Sequence, residues 1–527
     1  MDIFSDPILD KAKSAGIAAF AGVGTAIAVL AVALKLVASS DGASHASAFG
    51  YLIKYPVSSW HPIFYVCVAV ALLVGGTASI VLWLVMKNIK WTSQPKRLDS
   101  QASAEEILEK STPPGKPRIF GGKFGGKPFF ASVEDRALVI GPPGTGKTTM
   151  LFNQILRLAR EQMCFVAVDM KPELHSVLAD SLKEQGYRVL KINPAIIDPD
   201  AITWDPLADI DDEIDIAEMV AALLPIDDPK AEVFRQADRN WFAAAVHTAK
   251  HLGGGLPDAL ELLSSNEPIA LCKMILEAGP EPAKRLARQM LTGLEGPKPS
   301  AVVSGAISTV QSSLGFLALE GVKKSLSGSE FSIKEIGQKD KPPVALFLQL
   351  EEVRLQALGP VLSLYTTAIL NFLISSVGSR EPVALFLDEL GNLPAIPGLA
   401  NKLNTIRSRH MPCWMYFQST EQINRQYGQN ADQIFLGSAD LLIAFRINDV
   451  KTRQLVSDLI GTTTYDKISH SKSGGKTTTS KNKETKKVIE PHVIGQLKAG
   501  QIIALYKGGS AMGHGTPHFV DFPEFRR

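Results

Sequence analysis

The chain has 527 residues, of which 45% are hydrophobic and 20% are charged. This composition excludes a disordered or collagen-like chain, and the length predicts roughly three domains at about 150 residues each. The 55 Lys and Arg residues nearly balance the 53 Asp and Glu residues, for a net charge of +2. That balance argues against a chain that coats nucleic acid through bulk charge, although it leaves a local basic channel open.

Two long uncharged segments lie near the N-terminus. The first extends from Ser14 to Leu34 and the second from Pro62 to Met86. Each is long enough to cross the hydrocarbon core of a bilayer as a helix. We therefore predict a transmembrane hairpin with spans at residues 14–37 and 62–86. A signal peptide for the first segment and a buried core helix for the second are the alternatives.

Flanking charge predicts the orientation of this hairpin. Lys11 and Lys13 precede the first span, and Lys87, Lys90 and Lys96 follow the second. Because positive residues collect on the cytoplasmic side, both ends of the chain are expected there. Residues 1–13 are then cytoplasmic, residues 38–61 form a loop on the far side of the membrane, and polar residues 87–116 form a juxtamembrane linker.

The rest of the chain carries the pattern of a parallel α/β sheet. A Gly-rich hairpin is predicted at Gly121–Phe130. Apolar runs that fit doubly buried strands then occur, separated by helical stretches such as Gly359–Ser376 and Leu399–Arg409. Such alternation indicates a parallel sheet. The predicted strands are Arg136–Gly141, Cys164–Asp169, Tyr187–Asn193, Val344–Leu350, Val383–Leu390, Cys413–Ser419 and Leu441–Ile447.

A helical segment interrupts this pattern between the third and fourth strands. From about Ile210 to Gly315 the periodicity is helical. We therefore predict a nucleotide-binding domain in two parts, residues 117–209 and 321–527, with an all-α domain at 210–320 between them. Asp205 to Glu218 holds seven carboxylates and no basic residue. A solvated helix N-terminus explains this run, and a docking face for a basic partner is the alternative.

A biased segment follows near the C-terminus. Tyr465–Lys487 is rich in Ser, Thr, Lys and Gly and carries seven Lys against one Asp and one Glu. Its composition predicts a mobile loop. Contact with nucleic acid is an alternative role for its charge.

The sequence GPPGTGKTT, between a predicted strand and a predicted helix, matches the P-loop pattern GxxxxGK[ST]. Its glycines allow backbone N–H groups to surround phosphates at a helix N-terminus. Lys147 is expected to reach the β- and γ-phosphates, and the Thr148 hydroxyl to bind Mg²⁺. The predicted nucleotide-binding residues are Gly141, Gly144, Thr145, Gly146, Lys147, Thr148 and Thr149.

The sequence VALFLDEL supplies the second half of the predicted site. Its apolar residues form a buried strand that delivers Asp388 and Glu389 to the strand's C-terminal end. Asp388 is suited to hold Mg²⁺, mostly through water, and Glu389 to orient and deprotonate an attacking water. The two motifs together predict hydrolysis of ATP, with Mg²⁺.

Two further catalytic candidates come from the next segment. Gln418 ends the strand expected beside the one that carries Asp388, where a polar side chain can sense the γ-phosphate. Arg407 and Arg409 precede that strand and are suited to enter the phosphate site of a neighbouring subunit. A strand-end cap for Gln418 and a surface pair for the arginines are the alternatives.

The order of motifs resembles that of the coupling proteins of type IV secretion systems, the TraG/VirD4-like family. The resemblance extends from about Pro117 to Asp521. After the P-loop, the chain carries short motifs in the family's order, although Asp205 stands where the family has Asn and the P-loop lacks the family's usual Thr-Gly-Ser-Gly. The motifs are Asp169-Met-Lys171-Pro-Glu173, Asn193-Pro194, Trp204-Asp205-Pro206-Leu207, Asp388-Glu389-Leu390, Arg407, Gln418-Ser-Thr, Tyr427-Gly428, Arg446-Ile-Asn448-Asp449 and Gly461.

This resemblance implies a RecA-like P-loop NTPase domain with an inserted all-α domain, anchored in the bacterial inner membrane, with residues 38–61 periplasmic. It implies a hexameric ATPase that recruits relaxase-bound DNA, and in some members protein effectors, to the secretion channel and its ATPase subunits. DNA binding would be mainly to single strands and independent of sequence. Arg407 falls at the family's arginine-finger position. A coupling protein for effectors alone, an FtsK/HerA-like DNA translocase, and a docking receptor without motor activity remain alternatives.

Overall fold

A computed structural model describes residues 100–515, except 211, 227–228, 296–299, 329, 377, 379 and 474–475, and the isolated residues 69, 73 and 77. Apart from those three residues, the predicted spans at 14–37 and 62–86 lie outside the described residues, as do the predicted segments 1–13 and 38–61 and residues 87–99 of the predicted linker. Among the described residues, one helical stretch, Glu352–Ser375, is long and apolar enough to cross a membrane. Of its most apolar 18 residues, 72% are buried inside the protein.

The chain divides into two compact units, one of Met1–Pro95 with Thr464–Thr485, the other of Lys96–Thr463 with Lys486–Arg527. In the first unit, the described residues are mainly a two-stranded hairpin, formed by the strands Thr462–Ser473 and Lys476–Lys487. The second unit contains the large sheet, its flanking helices and every candidate site residue, and the following paragraphs concern this unit.

Within the described residues, eleven strands form one sheet. With β10 and β11 assigned to the hairpin, the strands of the sheet are β1 (Arg118–Phe124), β2 (Lys127–Ser132), β3 (Arg136–Ile140), β4 (Cys164–Asp169), β5 (Arg188–Ile192), β6 (Val344–Gln349), β7 (Val383–Leu387), β8 (Cys413–Phe417), β9 (Leu441–Ala444), β12 (Gln501–Tyr506) and β13 (Gly509–His514). Seven neighbouring strands run parallel, in the order β9-β3-β8-β7-β4-β6-β5. Antiparallel strands extend one edge in the order β2-β1-β13-β12, with β12 paired to β9.

The parallel strands are apolar because helices cover both faces of the sheet. In β3, Ala137 and Val139 join the core on one face, while Leu138 and Ile140 join the core on the other. The helices are α1 (Ser100–Glu109), α2 (Lys147–Arg160), α3 (Glu173–Glu184), α4 (Glu213–Leu223), α5 (Glu232–His251), α6 (Leu256–Ser265), α7 (Pro268–Ala278), α8 (Glu281–Leu294), α9 (Ala301–Ser313), α10 (Glu320–Ser325), α11 (Leu355–Ser375), α12 (Leu399–Ile406), α13 (Thr420–Tyr427), α14 (Ala431–Ser438), α15 (Val450–Ile460) and α16 (Pro491–Ile494).

Helices α4–α10 lie between β5 and β6 in the chain, and the two ends of this segment are fastened together. The backbone N–H of Trp204, before the segment, donates to the carbonyl of Ser325 at its end, over 2.9 Å. Tyr365 on α11 stacks on Trp204, with ring centroids 5.4 Å apart, and its hydroxyl lies 2.8 Å from Ser325 Oγ. The helical segment therefore leaves and rejoins the α/β unit at one buried aromatic anchor.

The acidic run at the entry of this segment combines the expected helix N-terminus with partners elsewhere in the chain. Asp212 is the exposed N-cap of α4, and its side chain accepts the backbone N–H of Ile214 over 2.8 Å. Asp209 accepts hydrogen bonds from the indole N–H of Trp204 at 2.9 Å and from Ser332 Oγ at 2.6 Å. Burial raises the pKa of Asp205 to about 6. Glu218 forms an ion pair with Lys402. These carboxylates hold the segment to the α/β unit, so partners inside the chain account for most of the run.

Two segments have more structure than their composition indicates. Residues 100–109 of the predicted linker form α1, because Ala104 and Ile107 bury one face of this helix in the core. The segment Tyr465–Lys487, expected to be a mobile loop, lies in the hairpin of β10 (Thr462–Ser473) and β11 (Lys476–Lys487). Its many threonines favour extended backbone, which outweighs the charge and low complexity that suggested a loop.

Candidate functional site

The P-loop joins the C-terminal end of β3 to the N-terminus of α2. Gly144 and Gly146 have φ values of 75° and 111°, which side chains with a Cβ rarely adopt. A Cβ on Gly141 would lie 2.7 Å from Phe445 Cβ, so this position is also restricted to glycine. The Thr145 hydroxyl donates to the Pro142 carbonyl over 2.7 Å and braces the loop. The glycines thus serve the loop geometry that the motif predicts.

Lys147, the first residue of α2, points into the protein. Its side chain is only 4% exposed, and Nζ donates to the Gly141 carbonyl at 2.5 Å. Nζ also lies 3.6 Å from Glu389 Oε1. Thr148 is half-buried and Thr149 exposed at the start of the same helix. The helix therefore presents an ammonium group and a hydroxyl side by side at its N-terminus, where anions are favoured.

Asp388 and Glu389 follow the end of β7. Asp388 is 7% exposed, and burial raises its pKa to about 7, with the Glu389 charge adding to the rise and Lys147 opposing it. Glu389 has a φ of 48°, in the left-handed region that costs a residue with a side chain about 1 kcal/mol or more. Its backbone N–H donates to Asp388 Oδ1 over 3.1 Å. This turn directs the Glu389 carboxylate towards Lys147.

Gln418 follows β8, which lies between the P-loop strand β3 and β7. Its Nε2 donates to Glu389 Oε2 over 3.0 Å. The carboxyl ends of these three parallel strands therefore bring together Lys147, Glu389 and Gln418. All three are among the site residues predicted from the sequence.

A further buried pair stands at the same edge of the sheet and did not figure among the predicted site residues. Gln349 at the end of β6 donates to Asp169 at the end of β4 over 2.7 Å. Asp169 also accepts the backbone N–H groups of Leu174 and His175 in α3. Burial raises the pKa of Asp169 to about 6, and its charge contributes to the raised pKa of Asp388. A polar residue at the end of an apolar run was the available signal.

Arg407 lies away from this cluster. It precedes β8, whereas the P-loop follows β3, and these parallel strands pair from Arg136 with Cys413 to Ile140 with Phe417. Arg407 and the P-loop therefore lie at opposite ends of these adjacent strands, separated by the length of β3, about 13–16 Å. The Arg407 side chain is 61% exposed, and its Nε lies 4.0 Å from Asp440 Oδ1. The structure thus does not bring Arg407 to the P-loop of its own chain.

Asp440 is itself held by Arg136, the first residue of β3. Arg136 Nε donates to Asp440 Oδ2 over 3.0 Å, and its NH1 donates to the Leu403 carbonyl of α12 over 2.9 Å. Arg409, the other arginine candidate, is half-buried on the 3₁₀ turn Arg407–Arg409, here called the arginine turn. The arginine turn is therefore supported from the amino end of the P-loop strand.

The donor set at the carboxyl edge suits a nucleoside triphosphate with a divalent cation. The N-terminus of α2 and Lys147 favour phosphate, while the Thr148 hydroxyl and the Asp388 carboxylate are oxygen ligands of the kind that Mg²⁺ takes alongside water and phosphate. Within the described ranges of the chain, no group of three or more His, Cys, Asp or Glu residues is placed to hold a metal ion. Mg²⁺ bound through few protein ligands is compatible with this arrangement.

The strand order, the P-loop and the acidic pair at the neighbouring strand end define the class of P-loop nucleotide-binding proteins. The sequence model of the family described as type IV secretory system conjugative DNA transfer matches residues 85–516. The chain belongs to this family. The resemblance to TraG/VirD4-like coupling proteins drawn from the motifs is thereby confirmed.

Individual relatives agree with this assignment. The conjugal transfer protein TraG of Escherichia coli is 26% identical over 190 residues, which are 34% of this chain and 30% of TraG, so the match spans under a third of that relative. The unbound bacterial conjugative coupling protein TrwBdeltaN70 has the same fold, with a TM-score of 0.61 and 19% identity over 80% of this chain and 93% of TrwBdeltaN70.

Two nucleotide-bound TrwB structures are similar to the same extent. TrwB with the non-hydrolysable ATP analogue ADPNP gives a TM-score of 0.59 at 19% identity, covering 81% of this chain and 94% of TrwB. TrwB with ADP and Mg²⁺ gives 0.58 at 18% identity, covering 80% and 93%. The α/β fold predicted from the sequence is confirmed by these similarities.

Proposed function

We propose that this protein is the coupling ATPase of a type IV secretion system, which binds relaxase-bound DNA and drives its transfer by hydrolysing ATP. Membership of the conjugative DNA transfer family supports the cargo. The observation that carries the ATPase activity is the cluster of Lys147, Glu389 and Gln418, joined across three adjacent strand ends. A receptor that merely docks other proteins has no need of this cluster.

ATP is the proposed nucleotide and Mg²⁺ the proposed cation. TrwB, which shares the fold, has been solved with ADPNP and with ADP and Mg²⁺. The residues Gly141, Gly144, Thr145, Gly146 and Thr149 shape the phosphate-binding loop, and Thr148 and Asp388 hold Mg²⁺, which neutralises charge on the phosphates. Lys147 leaves the Gly141 carbonyl and Glu389 for the β- and γ-phosphates, because their negative charge is greater than that of one carboxylate.

Departure of Lys147 frees Oε1 of Glu389 to act as the general base. Glu389 takes a proton from water as the water oxygen bonds to the γ-phosphorus, and the bond from that phosphorus to the β–γ bridging oxygen breaks to release ADP and phosphate. Gln418 holds Oε2 of Glu389 and senses the γ-phosphate. Asp388 would hold Mg²⁺ as a carboxylate, and burial raises the pKa of this side chain, so the positive charge of a bound cation would favour the ionised form.

Arg407 completes the site of a neighbouring subunit. Its position at the edge of the sheet opposite its own P-loop, and its exposure, suit a residue that acts in trans on the transition-state charge. Arg409 on the same turn is the second candidate. This arrangement requires a ring of subunits, and we propose the hexamer implied by the family resemblance.

The remaining assignments rest on the sequence patterns and the family. We propose an inner-membrane protein with spans at 14–37 and 62–86 and both termini in the cytoplasm. Residues 117–209 and 321–527 form the nucleotide-binding domain and residues 210–320 the all-α domain. Its partners are single-stranded DNA with its relaxase and relaxosome, the secretion channel and the channel's ATPase subunits. Protein effectors are a second cargo.

A mating assay with strains that carry the wild-type gene, a deletion or Lys147→Ala tests this function. We expect DNA transfer to be lost in the deletion strain and in the Lys147→Ala strain, with the variant present in the membrane at wild-type level. Effector transfer measured in the same strains separates the two cargoes. Normal DNA transfer by Lys147→Ala would overturn the motor function.

A further inference from the structure

Gln422 makes two hydrogen bonds beside the candidate site that its place in the chain does not require. It lies in the first turn of α13, and its side chain is only 8% exposed. Its Oε1 accepts the backbone N–H of Gln418 over 2.9 Å, and its Nε2 donates to Asn392 Oδ1 over 3.0 Å. The amide therefore bridges the segment after β8 and the segment after β7.

Both partners of Gln422 are bonded in turn to Glu389. Gln418 donates from its side chain to Glu389 Oε2 over 3.0 Å. The backbone N–H of Asn392 donates to the Glu389 carbonyl over 2.8 Å, which closes the 3₁₀ turn Leu390–Asn392. Gln422 thus completes a ring of hydrogen bonds that fastens the Glu389 side chain through Gln418 and the Glu389 backbone through Asn392.

Gly391 provides an independent indication that this space belongs to the Gln422 amide. A Cβ on Gly391 would lie 2.2 Å from Gln422 Cδ and 2.4 Å from Oε1. These distances are far shorter than van der Waals contact, so even an alanine would displace the amide. Glycine at this point of the turn is therefore explained by the position of Gln422.

The alternative is that Gln422 merely caps α13. Ser419 is the N-cap, and its Oγ accepts the Gln422 backbone N–H over 3.3 Å. A glutamine at this position can return the bond to the N-cap backbone in a capping box, but here Oε1 accepts the N–H of Gln418, the residue before the N-cap. A bond to Asn392, which lies in another segment, does nothing for the helix end. One turn later on the same helix, Gln426 donates a hydrogen bond to the Leu393 carbonyl. This bond lies outside the ring around Glu389, so Gln426 provides a comparison for Gln422.

We propose that Gln422 is a positioning residue for hydrolysis, which sets Glu389 and Gln418 relative to each other while itself touching neither water nor nucleotide. This inference rests on the proposed ATPase function. Glu389 has a strained left-handed φ of 48°, so its carboxylate direction depends on outside support. Without the Gln422 amide, the segments after β7 and β8 are no longer joined at this point. The Glu389 carboxylate then moves from the position in which it can accept the proton of water.

The test uses the full chain with Gln422→Met, a near-isosteric change that removes both hydrogen bonds. Since displacement of a catalytic group by about 1 Å can cost about 100-fold in rate, we expect kcat to fall about 10- to 100-fold. The Kd of a non-hydrolysable ATP analogue should stay within about twofold of wild type. Gln426→Met is the matched control, which loosens the same helix and should retain kcat within about threefold.

A second arm uses Gly391→Ala, alone and with Gln422→Met. Gly391→Ala should lower kcat to a similar extent, and the double variant should be no slower than the slower single variant, because both changes remove the same bridge. Wild-type kcat for Gln422→Met, equal losses for Gln426→Met, or multiplied losses in the double variant would each overturn the positioning role. A failure of the proposed ATPase function would give a different result, because wild type and Lys147→Ala would then hydrolyse ATP at the same rate.

Discussion

The side chain of Gln418 donates a hydrogen bond from Nε2 to Oε2 of Glu389 over 3.0 Å. The other oxygen of the same carboxylate lies 3.6 Å from Lys147 Nζ. Both carboxylate oxygens of Glu389 are therefore contacted, one by Gln418 after β8 and the other by Lys147 in the P-loop after β3. Any change at Lys147 is transmitted to the proposed base directly, and to Gln418 through the base.

The first prediction concerns the two ends of this cluster. Glu389→Gln should reduce ATP turnover by at least about 100-fold while retaining nucleotide binding, because the amide cannot accept the proton of water. Lys147→Ala should lose both binding and turnover. The measurements are phosphate release and binding of a fluorescent ATP analogue by the full chain. Lys451→Ala, which removes an exposed ion pair with Glu421, is the control and should behave as wild type.

The second prediction concerns action across subunits. Arg407→Ala should depress turnover while leaving nucleotide binding intact, because the side chain stands at the opposite edge of the sheet from its own P-loop. Mixed with Lys147→Ala subunits, it should regain part of the activity, since some sites then combine an intact P-loop with an intact neighbouring arginine. Exposed Arg425, on α13, provides the control substitution. Mixtures no more active than the separate variants would exclude action in trans.

The third prediction follows from the raised pKa of Asp388, about 7 against an ordinary 3.8. An acid that is harder to ionise in the folded state than in the unfolded state makes the protein less stable as pH rises from about 4 to about 7. Asp388→Asn removes this effect. The variant should therefore exceed the wild type in stability at pH 8, on the order of a few kcal/mol, and by less at pH 5.

The measurement for Asp388→Asn is the urea midpoint of the full chain without nucleotide at the two pH values. Asp180→Asn, at an exposed position on α3, is the control and should change the midpoint little at either pH. A variant advantage that is equal at pH 5 and pH 8 would contradict the role of ionisation.

The fourth prediction concerns the aromatic anchor of the helical segment. Trp204 is fully buried, stacks on Tyr365 and donates its indole N–H to Asp209. Trp204→Ala should lower the free energy of unfolding by about 3–5 kcal/mol, because it leaves a large cavity and removes one hydrogen bond to Asp209. Phe234→Ala, an exposed aromatic on α5, should change it by no more than about 0.5 kcal/mol. Urea unfolding of both variants measures this, and equal effects would contradict the anchor.

The sequence predicted where the candidate site residues lie in the sheet, because their signals are local. A continuous apolar run indicates a buried strand. In a parallel sheet, the polar residue that follows such a run lies at the carboxyl ends of the strands. Asp388, Glu389 and Gln418 were found in this way, and the P-loop by its glycines. The contact between Gln418 and Glu389 also follows from the expectation that their strands are neighbours.

What the sequence did not predict depends on which distant segments meet. Asp169 and Gln349 end strands that are adjacent in the sheet but separated in the chain by the entire helical segment. The same holds for Asp209, whose partner Ser332 lies beyond that segment. Strands β12 and β13 were not predicted, and β13, with the sequence Gly-Ser-Ala-Met-Gly-His, lacks a continuous apolar run. The Gly474-Gly475 pair between two Thr-rich runs was a hairpin signal that low complexity obscured.

The position of β3 in the sheet has a consequence for the synthesis of the protein. This strand, which carries the P-loop, is flanked by β8 and β9, whose residues are translated long after it. The nascent chain therefore displays an apolar strand with two open edges until β8 has left the ribosome and with one open edge until Ala444 has followed, and open apolar edges invite aggregation. A ribosome that stalls within the helical segment leaves a product that cannot assemble the nucleotide pocket and that a chaperone must shield.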